Sequence, residues 1–264
     1  MALRLLCVIA HPDDECFAFG GALALAADRG VEITVICLTD GQAGSYRGTA
    51  TSGKELGALR SAEFAASCNV LGVKDHEMLD YQDGQLEFAN ISELAGKLVE
   101  RIRRIKPQVV LTFGGDGAVN THADHTMVSA AATAAFHWAG SPKRYVGVGE
   151  LYTPQRLFYV TTSYFLPERL RPLPAPWTLT LDIRAVQQRK LDAFRAHATQ
   201  KPLMEQVQPL FEKLGQQELY ALAATTVPQP ARQSTDMFEG VAQDPLTATE
   251  TPASPSPAPS ADSK

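Results

Sequence analysis

The stretch LRLLCVIAHPDDECFAFGG, residues 3–21, runs an apolar segment straight into a row of charge. Leu5-Leu6-Cys7-Val8-Ile9 reads as a strand buried on both faces, the kind found in parallel sheets covered by helices. His11, Pro12, Asp13, Asp14 and Glu15 follow almost at once. Three adjacent carboxylates repel one another and cannot share a dry turn without a positive partner. The row is therefore either a solvated acidic loop or a place where a cation is held.

Outward from this stretch the pattern repeats. CFAFGGALALAADRG reads as a helix closed by Gly30, VEITVICLT as a second buried strand, and KELGALRSAEFAASCNVLG as a helix stopped by Gly72. ISELAGKLVERIRRIK is a helix ended by Pro107, QVVLTFGG a further buried strand, and DHTMVSAAATAAFHWAG a further helix. Strands alternating with helices imply an α/β, Rossmann-like layered fold: a mostly parallel sheet flanked by helices on both faces. Beyond residue 140, RLFYVTT and WTLTLDI are expected strands and AVQQRKLDAFRAHATQ an expected helix. The expected division is one domain over 1–240 and a disordered tail over 241–264, where Pro, Ala, Ser and Thr dominate without period.

Composition excludes some functions. The 264 residues are 45% apolar, enough for a sizeable core, and the formal net charge of −5 gives no reason to expect nucleic acid as a partner. No apolar span is long enough for a membrane helix, and the short N-terminal apolar run lacks a cleavage site, so no membrane insertion is expected. The four cysteines, Cys7, Cys16, Cys37 and Cys68, form no CxxC pair. They suit a reducing, cytoplasmic setting. Nothing here speaks against a homo-oligomer.

In open α/β sheets ligands bind beyond the carboxyl ends of the strands. Three polar clusters fall there: HPDDE after the first strand, TDGQAGS after the second, and GGDGAVNTHADH after the strand at 108–114. His11 and Asp14 supply nitrogen and oxygen donors three residues apart, and His122 and His125 share a face if they open a helix. Two histidines, a carboxylate and an open position make a catalytic zinc site, at which water is acidified toward a pKa of ~7. One aspartate would bind the metal and a second accept the proton. HxxH alone is a weak signal, and His76 and His137 read as structural. FGGDGAVN fails the GxGxxG spacing at Asn120, so a phosphate loop is not indicated.

These residues resemble the LmbE-like, or PIG-L, zinc-dependent de-N-acetylases. The match runs through AHPDDE (10–15), GG (20–21), LTDGQAGS (38–45), RSAE (60–63), LDYQDGQL (79–86), HADH (122–125) and KLDAFRAHATQ (190–200), in the family's order. The resemblance implies a hydrolase removing an N-acetyl group from an N-acetylglucosamine-containing small molecule or conjugate. It implies His11, Asp14 and His125 as zinc ligands, Asp13 as general base, and His122 as the group that stabilises the oxyanion or protonates the leaving amine. Asp124 would orient a histidine from behind, while Arg60 and Asp83 would contact the sugar. Iron(II) or manganese(II) also suits such a ligand set. Ala123 and Gln42 depart from the proline and glutamate of many relatives, so the loop around 42 is where a different substrate would be met. Glu15 has no chemical role on this reading and is expected to support its loop by hydrogen bonds; His197 is either a helix-face histidine or one near the mouth of the site. The alternatives are an amidase acting on a thiol–sugar conjugate or another N-acyl group, and a non-catalytic metal- or sugar-binding module.

Overall fold

The computed structural model describes residues 2–118, 121–163, 175–228 and 232–242. Seven strands form one sheet: β1 (Arg4–Ile9), β2 (Glu32–Thr39), β3 (Asp75–Tyr81), β4 (Val109–Phe113), β5 (Arg156–Thr161), β6 (Leu179–Asp182) and β7 (Gln217–Thr225). Their spatial order is β3-β2-β1-β4-β5-β7-β6. The first five run parallel, while β7 lies antiparallel to both β5 and β6. The mostly parallel layered fold read from the sequence is the one observed.

The central strands need no polar face because both sides are covered. Leu5 to Ile9 and Val109 to Phe113 are at most 1% exposed. The helices of the parallel half begin and end where their sequences say they should. α3 (Gly53–Leu71) is capped by Ser52, whose hydroxyl accepts from the Glu55 N–H at 3.2 Å, and it stops at Gly72 with φ 81°. α4 (Ile91–Ile105) is capped by Asn90, whose Oδ1 accepts from the N–H groups of Ser92 and Glu93. Its Leu94, Leu98, Val99 and Ile102 recur at helical spacing and are buried, each contributing about 1.5–3 kcal/mol.

Three differences from the expected elements shape the surroundings of the polar clusters. CFAFGGALALAADRG is two helices, α1 (Asp14–Phe17) and α2 (Gly20–Asp28), so the HPDDE row opens its own short helix. α5 (Ala123–Trp138) begins directly after His122. After α6 (Gln187–Arg195), the chain makes a 3-10 turn at Ala198–Gln200, then α7 (Lys201–Leu214) and the antiparallel β7. α7 and β7 have no counterpart in the sequence reading. Of the expected tail, only Val241 and Ala242 lie within the described residues; Gln155 clamps Ala242 through its backbone N–H (2.9 Å) and carbonyl (2.7 Å). No helix among the described residues is long and apolar enough to cross a membrane.

Candidate active site

From β1 the chain moves to β2 and β3 on one side of the sheet, then returns to β4 on the other side. The carboxyl ends of β1 and β4 therefore flank the switch point, where the crossovers leave a crevice. The loop after β1 carries His11 to Glu15, and the loop after β4 leads to His122 and His125 at the start of α5. Residues more than a hundred positions apart thus meet at one end of the sheet.

His11, Asp14 and His125 form the centre. Asp14 Oδ1 lies 3.3 Å from His125 Nε2, and Asp14 Oδ2 lies 3.5 Å from His11 Nδ1 while accepting the His11 N–H at 2.8 Å. The outer nitrogens of the two rings are already occupied. His11 Nε2 faces Asp124 Oδ2 at 3.2 Å and Asp83 Oδ1 at 3.0 Å, and His125 Nδ1 faces the Gly117 carbonyl at 3.1 Å. Those partners are acceptors, so each ring carries its proton there in the neutral form and turns its lone pair toward Asp14. The His125 ring is also stacked on Phe113, with centroids 3.9 Å apart.

Such a set suits a cation. Donors about 2.0–2.1 Å from a common tetrahedral centre stand about 3.4 Å from one another, close to the 3.3 Å between Asp14 Oδ1 and His125 Nε2, while His11 Nδ1 lies 3.5 Å from the other Asp14 oxygen. Ring donors of His11, His122 and His125 also gather within 4.8 Å of each other, so His122 stands beside the same point. Electrostatics follow from the crowding. Burial would raise Asp14, but His125 and His11 outweigh it and hold the carboxyl far below its ordinary value. Burial would lower His11, but Asp124, Asp14 and Asp83 hold the ring well above 6.5.

Asp13 sits beside this centre in an unusual backbone conformation, φ 108° and ψ −25°. For a non-glycine residue such geometry costs about 1–3 kcal/mol and persists only where surrounding contacts enforce it. Burial and the adjacent Asp14 lift its carboxyl to about 6, against the pull of Arg60. Among the described residues, its side chain is hydrogen-bonded through Oδ2, which accepts from Arg60 Nη2 at 2.9 Å.

Arg60, expected at the sugar, is 4% exposed and turned inward. Besides Asp13 it donates to the Pro12 carbonyl, and at 3.1 Å to the Gly41 carbonyl. Gly41 must be glycine, since its φ is +70° and a Cβ there would stand 2.3 Å from Arg60 Nη1. Asp83, also expected at the sugar, lies behind His11, with Oδ2 accepting the Ala43 N–H at 3.1 Å. Asp124 is fully buried, and its Oδ2 meets His11, a residue of the HPDDE segment rather than of its own. It also accepts the N–H groups of Gly84 (2.7 Å) and Leu86 (3.1 Å), tying the LDYQDGQL turn to α5. His122 caps α5: its Nδ1 accepts the Asp124 N–H at 3.2 Å, which puts the ring proton on Nε2. Burial, then His11 and His125, hold its pKa below 6.5.

The sequence reading missed what lies under HPDDE. Glu15 is completely buried with His197, their side chains 2.7 Å apart, and Ser67 donates to the same Glu15 oxygen at 2.5 Å. The AHATQ segment was the available signal, but nothing in it named Glu15 as its partner. His76 packs edge-on against Phe64, and His137 lies in the last turn of α5.

Comparison with known proteins gives this arrangement a family. Residues 6–136 match the family described as GlcNAc-PI de-N-acetylase, PIG-L. The 1D-myo-inositol 2-acetamido-2-deoxy-alpha-D-glucopyranoside deacetylase of Rhodococcus erythropolis is 34% identical over 243 residues, spanning 75% of this chain and 81% of that protein. A probable N-acetyl-alpha-D-glucosaminyl L-malate deacetylase 2 of Bacillus cereus is 35% identical over 127 residues, 47% of this chain and 57% of that one. The N,N'-diacetylchitobiose deacetylase of Pyrococcus horikoshii shares the fold with a TM-score of 0.68 and 25% identity, over 84% of each chain. With its crevice at the β1–β4 switch point and the HPDDE and HADH segments facing each other across it, this chain belongs to the PIG-L family of de-N-acetylases.

Proposed function

We propose that the protein is a zinc-dependent hydrolase that releases acetate from the N-acetylglucosamine unit of a small conjugate. The observation that carries this reading is the convergence of the His11 and His125 ring nitrogens on the Asp14 carboxylate, with Asp13 and His122 alongside. His11, Asp14 and His125 would hold the metal. When bound, a divalent cation there supplies Lewis acidity toward an amide carbonyl and makes water a better acid near neutral pH.

The chain's own groups do the rest. Asp13 takes the proton from the attacking water; Arg60 holds its other oxygen and fixes the direction of the first. His122 donates Nε2–H to the amide oxygen as negative charge grows there, the kind of preorganised donor that contributes most in acyl transfer. The carbon–nitrogen bond then breaks, Asp13 returns its proton to the departing amine, and acetate leaves. The Asp124 N–H bonded to His122 Nδ1 leaves Nε2–H as the ring's donor, which suits this division of labour. Arg60 acts in this scheme on Asp13, and Asp83 on His11.

The substrate named for each relative shares an N-acetylglucosamine core and differs in what is attached, so the sugar is proposed and the attached group left to assay. Acetate release should be measured from N-acetylglucosamine, its inositol and malate conjugates, and N,N'-diacetylchitobiose, with the purified protein loaded in turn with zinc, iron(II) and manganese(II). Asp13→Asn should retain stoichiometric metal and lose about 10²–10⁴-fold in turnover. Wild-type rates in that variant would remove the base assignment. Stoichiometric zinc with no acetate from any substrate would favour a binding module instead.

A further inference from the structure

The HPDDE row contains one carboxylate that the proposed chemistry does not use. Glu15 is 0% exposed, with its two oxygens divided between different tasks. Oε2 accepts the backbone N–H of Asp13 at 2.9 Å. Oε1 accepts from Ser67 Oγ at 2.5 Å and meets His197 Nε2 at 2.7 Å. Ser67 comes from α3 and His197 from the link between α6 and the 3-10 turn, 182 residues along the chain from Glu15.

His197 is itself firmly delivered. Thr199, two residues on, donates its N–H and its hydroxyl to the Glu63 carboxylate at 2.8 and 2.6 Å, fastening the segment to α3. His197 is 1% exposed, and its Nδ1 finds no hydrogen-bond partner among the described residues. Burying a polar nitrogen unsatisfied is unfavourable, so the ring is held in place by its one bond to Glu15. Cys16 Sγ adds a contact to the Asp13 carbonyl at 3.0 Å. Asp13 thus has its N–H gripped by Glu15 from below and its Oδ2 gripped by Arg60 from the side, across a backbone that does not adopt φ 108° by itself.

We infer that Glu15, His197 and Ser67 form a positioning relay that holds the Asp13 backbone in its left-handed conformation and so aims the proposed base. The inference rests on the reading of Asp13 as the base. None of the three touches the reacting atoms; they act through the Asp13 N–H. Glu15 exerts the hold, and His197 and Ser67 keep Glu15 extended and charged in surroundings closed to solvent. A base displaced by a fraction of an ångström still binds substrate and metal but transfers the proton poorly. The signature is therefore a fall in kcat without a matching change in KM or metal content.

The test is a mutant cycle on metal-loaded protein, using whichever conjugate of the substrate panel the wild type hydrolyses fastest. His197→Ala should lower kcat by about ten- to a hundredfold with metal still stoichiometric. His197→Gln keeps an N–H within reach of Glu15 and should recover most of that loss; Ser67→Ala should lower kcat less, in the same direction. Since the relay acts only through Asp13, His197→Ala should cost nothing further in an Asp13→Asn background. Amide hydrogen exchange gives a reading independent of turnover, with the Asp13 N–H losing protection in His197→Ala ahead of its neighbours. The relay is overturned if folded His197→Ala keeps kcat within about twofold of wild type, or if its effect persists undiminished in Asp13→Asn. Should His197→Ala fail to fold, Ser67→Ala and His197→Gln carry the same measurement, and unchanged Asp13 protection in Ser67→Ala overturns it. A wild-type rate in Asp13→Asn alone would instead bring down the base reading, and the relay with it.

Discussion

Two buried acidic clusters lie on either side of the α1–α2 segment, and they are finished differently. Glu218 on β7 is saturated: Oε1 accepts from the Gly21 N–H (2.7 Å) and Lys190 Nζ (2.6 Å), and Oε2 from the Ala22 N–H (2.8 Å) and the Tyr220 hydroxyl (2.7 Å). It caps the N-terminus of α2, locks α6 to the sheet and leaves no oxygen for a ligand. Gly21 makes this possible, since a Cβ there would meet Glu218 Oε1 at 2.8 Å and Ile183 at 2.5 Å. The Asp14 cluster has the same ingredients of burial, carboxylate and nitrogen donors, yet its rings are held from their outer sides by Asp83, Asp124 and the Gly117 carbonyl, which leaves their inner nitrogens gathered around Asp14. A satisfied cluster stabilises the fold. One whose ring nitrogens and carboxylate converge on a single place is suited to receive a cation, which would take the place of the protons between them.

That contrast can be broken most directly at its centre. Asp14→Asn should lose stoichiometric metal, by elemental analysis, and turnover per folded molecule should fall to background. A metal-replete Asp14→Asn would show that the convergence is not a binding site. At the closed cluster the effects should be reversed. Glu218→Ala leaves Lys190 buried without its partner and should destabilise the fold by about 3–5 kcal/mol in urea denaturation. Turnover per metal-loaded folded molecule should be unchanged; a loss of kcat exceeding the loss of folded protein would place Glu218 in the reaction after all.

Asp124 tests the boundary between the two kinds of cluster, since it is fully hydrogen-bonded yet turned toward His11. Asp124→Asn should weaken metal affinity by about 10–100-fold, measured by chelator competition, because the replacement holds the His11 ring less firmly. Affinity equal to wild type would mean that Asp83 alone orients the ring. The smallest effect belongs to His197. Burial would lower its pKa, but Glu15 outweighs burial and raises it above 6.5. The stabilisation tied to this proton is thus fully present below 6.5 and fades as pH rises through the elevated folded value. The stability advantage of wild type over His197→Gln should shrink as pH rises above 6.5. A constant or widening gap would show that the ring is not charged against Glu15.

Much of the parallel half of the fold was legible because its signals are local. Gly72 ends α3, Pro107 follows α4, and β1, β2 and β4 are apolar runs that only a sheet covered on both faces can bury. The seam inside CFAFGGALALAADRG was not legible, because its periodicity runs straight through Ala18 and Phe19. Only the short helix opened by Asp13 reveals the break. Arg60 shows the same limit at the site. Its position in RSAE said nothing of Asp13, whose carboxylate its guanidinium meets at 2.9 Å, or of the Gly41 carbonyl, which it also meets.

The sequence by itself determined the layered architecture and the chemistry on offer: HPDDE and HADH each follow a buried strand, and residue type with local spacing is enough to mark donors for a cation. Tertiary structure alone decided how those donors are shared out. That Asp83 and Asp124 hold His11, that Arg60 turns in toward Asp13, that Glu15 meets His197 from the far end of the domain, and that Glu218 closes on Lys190 all depend on strand order. The physical reason is that a hydrogen bond is set by direction and distance in space, and in a doubly wound sheet the residues that meet at a switch point are widely separated along the chain.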